Sequence, residues 1–83
     1  MKEHDLKTWP EYFQAVRDGR KPFELRFNDR DFQVGDILNL QEFEPMTQAF
    51  TGETERVVVS YVLAGPWLAP GVVALGIKEQ VND

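Results

Sequence analysis

The chain of 83 residues contains no cysteine. That removes disulfides, thiolate metal ligands and cysteine nucleophiles together. Small secreted domains commonly lean on disulfides, so a reducing cytoplasm is the expected location. Histidine is nearly absent as well, with His4 the single example. Without a second imidazole or a thiolate, no zinc or other metal site is expected, and nothing in the composition calls for a cofactor. Long apolar runs are missing, so no membrane span or membrane partner is expected. The opening stretch "MKEHDLKTWPEYF" places a charge or a proline every few residues and lacks the apolar core of a signal peptide. Basic residues are in deficit: nine Lys and Arg against fourteen Asp and Glu leave a net charge of −5. A protein that coats nucleic acid does so by neutralising phosphates, which this balance opposes. A local basic pocket inside an acidic shell remains compatible with it.

Hydrophobic residues make up 42% of the chain and charged residues 28%, the composition of a folded soluble domain. The length fits one domain over 1–83. "EHDLKTW" reads as a short strand and "TWPE" as a helix start, with Thr8 and Glu11 in capping-box spacing and Pro10 in the first turn. Trp9, Phe13 and Val16 form an apolar stripe at helical spacing, and Gly19 supplies the stop. "FELRF" is the next strand, "NDRD" a turn, and "ILNLQEF" a further strand entered through Gly35. Residues 45–53 read as a loop, "ERVVVSYVL" as the clearest strand, "AGPWLAPG" as a loop, "VVALGI" as the last strand and "KEQVND" as a polar tail. The two valine-rich strands are apolar on both faces, which predicts central strands or a closed barrel. The order β-α-β-β-β-β, with one helix, predicts a mainly β fold of the α+β class in which barrel closure removes exposed edges.

The stretch "GRKPFELR", residues 19–26, carries the most chemistry. As a strand it puts Phe23, Leu25 and Phe27 on one face and Glu24 and Arg26 on the other, with Lys21 just before it. Strand alternation alone makes Glu24 and Arg26 a wet surface pair worth little. A second reading makes them the wall of a site. Lys and Arg hold a phosphate or a base carbonyl, the Arg fork bidentately, and Glu24 accepts from the exocyclic amine of cytosine or adenine. A third makes them a self-satisfied ion network tying helix to barrel.

Gly19, Lys21, Glu24 and Arg26 match the pattern G-x-K-x-x-E-x-R. It resembles the motif of the ASCH domain, a relative of the PUA RNA-binding fold. Together with "HDLKTWPEYFQAV" before it and "NDRDFQVGDIL" after it, the stretch resembles a small bacterial and phage family known as DUF3850. The resemblance implies a PUA-like pseudo-barrel of about five strands with one N-terminal helix, and a cleft between barrel and helix lined by the motif's charges. It also implies RNA, a nucleotide or a modified nucleoside as partner. Lys7 adds a cation to that cleft. His4, an odd number of residues away, points to the other face and is expected at the surface. Arg30, in the "NDRD" turn, reads either as part of a solvated turn or as the rim of the cleft. Trp9 is expected in the core. Trp67, in a loop flanked by Gly and Pro, either stacks on a base or closes the barrel mouth.

The functional reading is therefore a non-catalytic RNA- or nucleotide-binding module built on Lys21, Glu24, Arg26, Lys7, Arg30 and Trp67. One alternative is a nucleoside amidohydrolase, after a branch of the ASCH superfamily that cleaves the amide of N4-acetylcytidine. There Lys21 is the implied base, but Glu24 occupies the position of that branch's Thr nucleophile, and "AGPWLAPG" lacks its acid. The other alternative is a non-catalytic interaction protein whose acidic surface meets a basic partner.

Overall fold

The computed structural model describes residues 1–80; the expected polar tail falls in part on 81–83, outside the described residues. In chain order the elements are β1 (Glu3–Thr8), α1 (Pro10–Arg17), β2 (Phe23–Phe27), β3 (Ile37–Glu44), β4 (Ala49–Leu63) and β5 (Val72–Glu79). The five strands form one sheet in the order β1-β3-β4-β5-β2, curled into a half-barrel. β1 runs parallel to β3, and every other neighbouring pair is antiparallel.

Alternation decides what each strand buries. β1 turns His4, Leu6 and Thr8 inward and keeps Lys7 outward, as the spacing of His4 and Lys7 predicts. The core gathers Leu6, Leu38, Leu40, Val59, Val73 and Leu75 from four strands. On α1, Phe13 is fully buried in this cluster and Val16 packs against it. The helix is too short to hold itself together in water. Arg17 ties it to β4 through Glu55 at 2.6 Å and Glu53 at 2.9 Å, and Gln14 reaches the buried Glu42 at 3.0 Å. It ends at Gly19, whose φ of 81° is the left-handed conformation that other residues resist.

Several expectations need correction. The helix is not capped by Thr8, since β1 extends through Thr8 and Trp9 takes the N-cap position with no side-chain cap bond. The Thr8 hydroxyl instead donates to the Leu6 carbonyl at 3.4 Å. Residues 45–53 are not all loop: the turn is confined to 45–48 and β4 begins at Ala49, because Phe43 and Ala49–Phe50 continue the β3–β4 pairing. β4 and β5 are inner strands, but only one face of each is covered, and Tyr61 and Leu63 on the outer face are exposed. Lastly, the sheet does not close, and β1 and β2 remain as its two edges.

β2 is turned the opposite way from a strand that buries its apolar face. Leu25 is 54% exposed and Phe27 69%, while Glu24 is 3% exposed. The outward side chains of β2 continue onto β5, where Leu25 sits opposite Ala74 and Phe27 opposite Val72.

His4 is buried, not at the surface as expected. Its Nε2 lies 2.9 Å from Asp36 Oδ2 and its ring meets Phe32 edge-on, with centroids 4.8 Å apart. Asp36 also accepts from the amides of Lys2 and Gln33, each at 3.0 Å, so it ties the start of β1 to the turn before β3. Burial opposes the charge on Asp36, but the bonds from His4, Lys2 and Gln33 outweigh it and hold the carboxyl at about 2 against an ordinary 3.8. A carboxyl shifted downward stabilises the fold above its unfolded value and stops doing so as pH falls through its folded value.

Two predictions follow from this packing. Leu75→Ala, at a position with no exposure, costs about 2–5 kcal/mol, whereas Leu25→Ala costs about 1 kcal/mol or less; urea unfolding of the two variants reads the difference. Asp36→Asn costs about 1–3 kcal/mol at neutral pH. In acid titrations followed by circular dichroism, the gap between wild type and variant persists above pH 3.8 and closes towards pH 2.

Candidate functional site

The site lies on the open seam of the half-barrel. On β2, the Pro22 carbonyl accepts from Ile77 N at 3.1 Å and Asn28 N donates to Gly71 at 2.8 Å. Antiparallel alternation therefore directs the backbone groups of even-numbered residues to β5 and those of Phe23, Leu25 and Phe27 to the open edge. On β1, the bond from Ile37 N to the Lys2 carbonyl places the odd-numbered residues at the other open edge. An unpaired strand edge is a liability, and here basic side chains cover it. Arg26 Nη2 crosses the seam to the Lys7 carbonyl at 3.0 Å and to Thr8 Oγ1 at 3.2 Å. Arg30 Nη1 donates to the Asp5 carbonyl at 3.0 Å, and Lys21 Nζ to the Phe23 carbonyl at 2.9 Å.

Glu24 lies beneath this seam. One carboxylate oxygen accepts from Lys21 Nζ, and the other from Arg26 Nε at 3.0 Å. A buried carboxylate is tolerated only when paired and hydrogen-bonded, and Glu24 has two cationic partners. It is therefore not the wet surface pair of the strand-alternation reading. Lys21 and Arg26 stay partly open above it, with 18% and 24% of their side chains exposed. The group as a whole carries one net positive charge.

Above the three charges is a cleft of about 650 Å³. Its walls are aromatic: Trp9 and Tyr12 from the start of α1, and Phe23 from β2. Trp9 and Tyr12 stack with ring centroids 6.2 Å apart and planes 21° apart. Lys21 Nζ lies 5.2 Å from the Phe23 ring and 5.8 Å from the Tyr12 ring, within cation–π range. Lys7, Thr8 and Leu25 complete the lining.

The structure brings Lys21, Glu24, Arg26 and Lys7 to one cleft. Lys7 offers its carbonyl to Arg26, while its ammonium rests 4.6 Å from the Phe43 ring. Arg30 and Trp67 do not line the cleft. Arg30 is spent on the β1 edge further along the seam. Trp67 stands 89% exposed in the β4–β5 loop. Sequence reasoning missed the aromatic wall. Trp9, expected in the core, is 50% exposed because the chain leaves β1 there and enters the helix, which buries Phe13 instead. Helical spacing gave no signal for the aromatic wall, since Trp9 and Tyr12 both fall on or beside the Phe13–Val16 stripe. Among the described residues, no cluster of three or more His, Asp or Glu could hold a metal ion, and no helix is long and apolar enough to cross a membrane.

Fold and site together define a small, mainly β half-barrel domain with an aromatic cleft over a buried ion triad. The chain belongs to the protein family described as "Domain of unknown function (DUF3850)", which matches residues 3–77 and so includes every residue of the cleft. It is similar to the "Uncharacterized 12.9 kDa protein in GpA 3'region" of Escherichia phage P2, with 31% identity over 81 residues, covering 96% of this chain and 72% of the phage protein.

The seam bonds make Arg26 irreplaceable by charge alone. Arg26→Lys keeps the cation but loses the fork that spans from Glu24 to β1, and costs about 1–3 kcal/mol in urea unfolding. Trp67→Ala stays within about 0.5 kcal/mol of wild type.

Proposed function

We propose that this protein is a nucleotide-binding module that takes one nucleotide, free or within single-stranded RNA, into the seam cleft. The observation that carries the reading is the coincidence of aromatic walls and cations over one ligand-sized hollow. A volume of about 650 Å³ falls within the roughly 300–1,000 Å³ of small-molecule sites. Stacking on aromatic side chains is how single-stranded bases are gripped, at about 1–3 kcal/mol per base, and Trp9 and Tyr12 offer such a surface. The resemblance of "GRKPFELR" to the ASCH motif, and through it to PUA-like RNA-binding domains, supports the same reading.

The amidohydrolase reading has less support. Thr8 and Tyr12 are the hydroxyl side chains lining the cleft. The Thr8 hydroxyl is buried, donates to Leu6 and accepts from Arg26, and Glu24 is held by both cations. A protein-interaction role, with the acidic surface meeting a basic partner, rests on the net charge of −5 alone and uses none of the cleft. The nucleotide reading uses more of what the site contains.

Titration of the labelled protein with UMP, AMP and short single-stranded RNA tests it by NMR. Shifts are expected at Trp9, Tyr12, Lys21 and Arg26, with the Trp67 indole unmoved. Trp9→Ala is expected to weaken binding by about 5- to 150-fold, the equivalent of one lost stacking contact. Saturating additions that leave all four residues unshifted would end the proposal.

A further inference from the structure

The hydrogen-bond inventory of the triad divides its labour, and from it we infer that the cleft seats a phosphate group on Lys21 and Arg26, with Glu24 serving as their buried counter-ion and not as a reader of bases. This rests on the nucleotide reading above and names which part of the ligand goes where.

Arg26 has five N–H donors and Lys21 three. Arg26 uses Nε on Glu24, and its Nη2 is shared among Glu24 at 2.9 Å, the Lys7 carbonyl and Thr8. Among the described residues no acceptor is bonded to Nη1, which leaves two donors in one plane. Lys21 uses two of its donors on Phe23 and Glu24, which leaves a third. Three N–H groups thus remain unspent on two residues that line the cleft. The Glu24 side chain is only 4% exposed and both its oxygens are engaged, so an exocyclic amine meets no carboxylate there.

A neutral base edge presents at most two acceptors in line, as guanine does with O6 and N7. A phosphate presents several oxygens at once, so separate oxygens can take the Nη1 donors of Arg26 and the third donor of Lys21. It also supplies the negative charge that the group lacks, since two cations and one carboxylate leave an excess of one. A partly buried excess charge is costly until it is paired. The aromatic walls then face the rest of the nucleotide. Trp9 and Tyr12 hold the base, and the floor holds the phosphate.

The same phosphate chemistry comes from two sources, a terminal monoester or an internal diester, and the test separates them. Uridine, UMP, the dinucleotide UpU and inorganic phosphate are titrated into the full chain by calorimetry at two salt concentrations. UMP is expected to bind at least about tenfold more tightly than uridine, with the advantage shrinking as salt rises. Inorganic phosphate is expected to displace UMP but not uridine. UpU matching UMP assigns the seat to an internal phosphate, and UpU matching uridine assigns it to a terminal one. Lys21→Gln removes one donor and the excess charge; it is expected to remove the preference for UMP over uridine, read as the ratio of the two affinities within the variant. Trp9→Ala is expected to weaken both by the same factor. Uridine binding as tightly as UMP overturns the phosphate seat and leaves the nucleotide reading standing, whereas no binding of either removes both. A Lys21→Gln protein that folds, by its circular dichroism, and still prefers UMP also overturns the seat.

Discussion

Glu24 is a carboxylate inside a domain of 83 residues, and much of the seam's geometry follows from the need to pair it. Removing an ion from water costs several kcal/mol unless partners and hydrogen bonds replace what is lost. The partners come from the same short segment, Lys21 just before β2 and Arg26 two residues after Glu24. Keeping all three together obliges β2 to turn its polar face inward. Its phenylalanines and leucine then point outward, and the strand stops contributing to the apolar core. What it contributes is a bridge. Arg26, oriented by Glu24, reaches the far edge of the sheet, so one ionic group holds the strand in place and draws the two edges together.

The remainder of the fold makes that bridge rigid. α1 lays Phe13 on the core and is held to β4 by Arg17, which fixes Trp9 and Tyr12 above the seam. The start of β1 is held by Asp36 with His4 and the backbone of Lys2, so the strand whose carbonyls receive Arg26 and Arg30 is anchored at its beginning. A site built on two strand edges and a helix start would otherwise belong to the least stable parts of a small domain. Here each of those parts has a specific fastening.

Much of this was legible in the sequence. The order of elements, the opposite faces of His4 and Lys7, the stop at Gly19 and the grouping of Lys21, Glu24 and Arg26 all follow from spacing and motif. The direction of β2 does not. Alternation separates two faces of a strand but says nothing about which one turns inward; a buried ion triad and a wet surface pair have the same pattern. The strand order was out of reach for a related reason. β2 lies between β1 and β3 in the chain but at the opposite edge from β1 in the sheet, and nothing local encodes that. Neither tryptophan stands where its local sequence suggested: Trp9 leaves the core for the cleft, and Trp67 lies outside both. The helix start lies beside the seam, and the loop does not.

Arg26 is both a fastener of the seam and part of the lining of the cleft. A residue with both duties has little freedom to drift, because replacing it to suit a new ligand would also loosen the half-barrel. Trp9, Tyr12 and Phe23 carry no such burden: each is at least 42% exposed, and none of their side chains supports the sheet's edges. Diversification among relatives that share this architecture would therefore concentrate on the aromatic rim, while the charged floor stays constant.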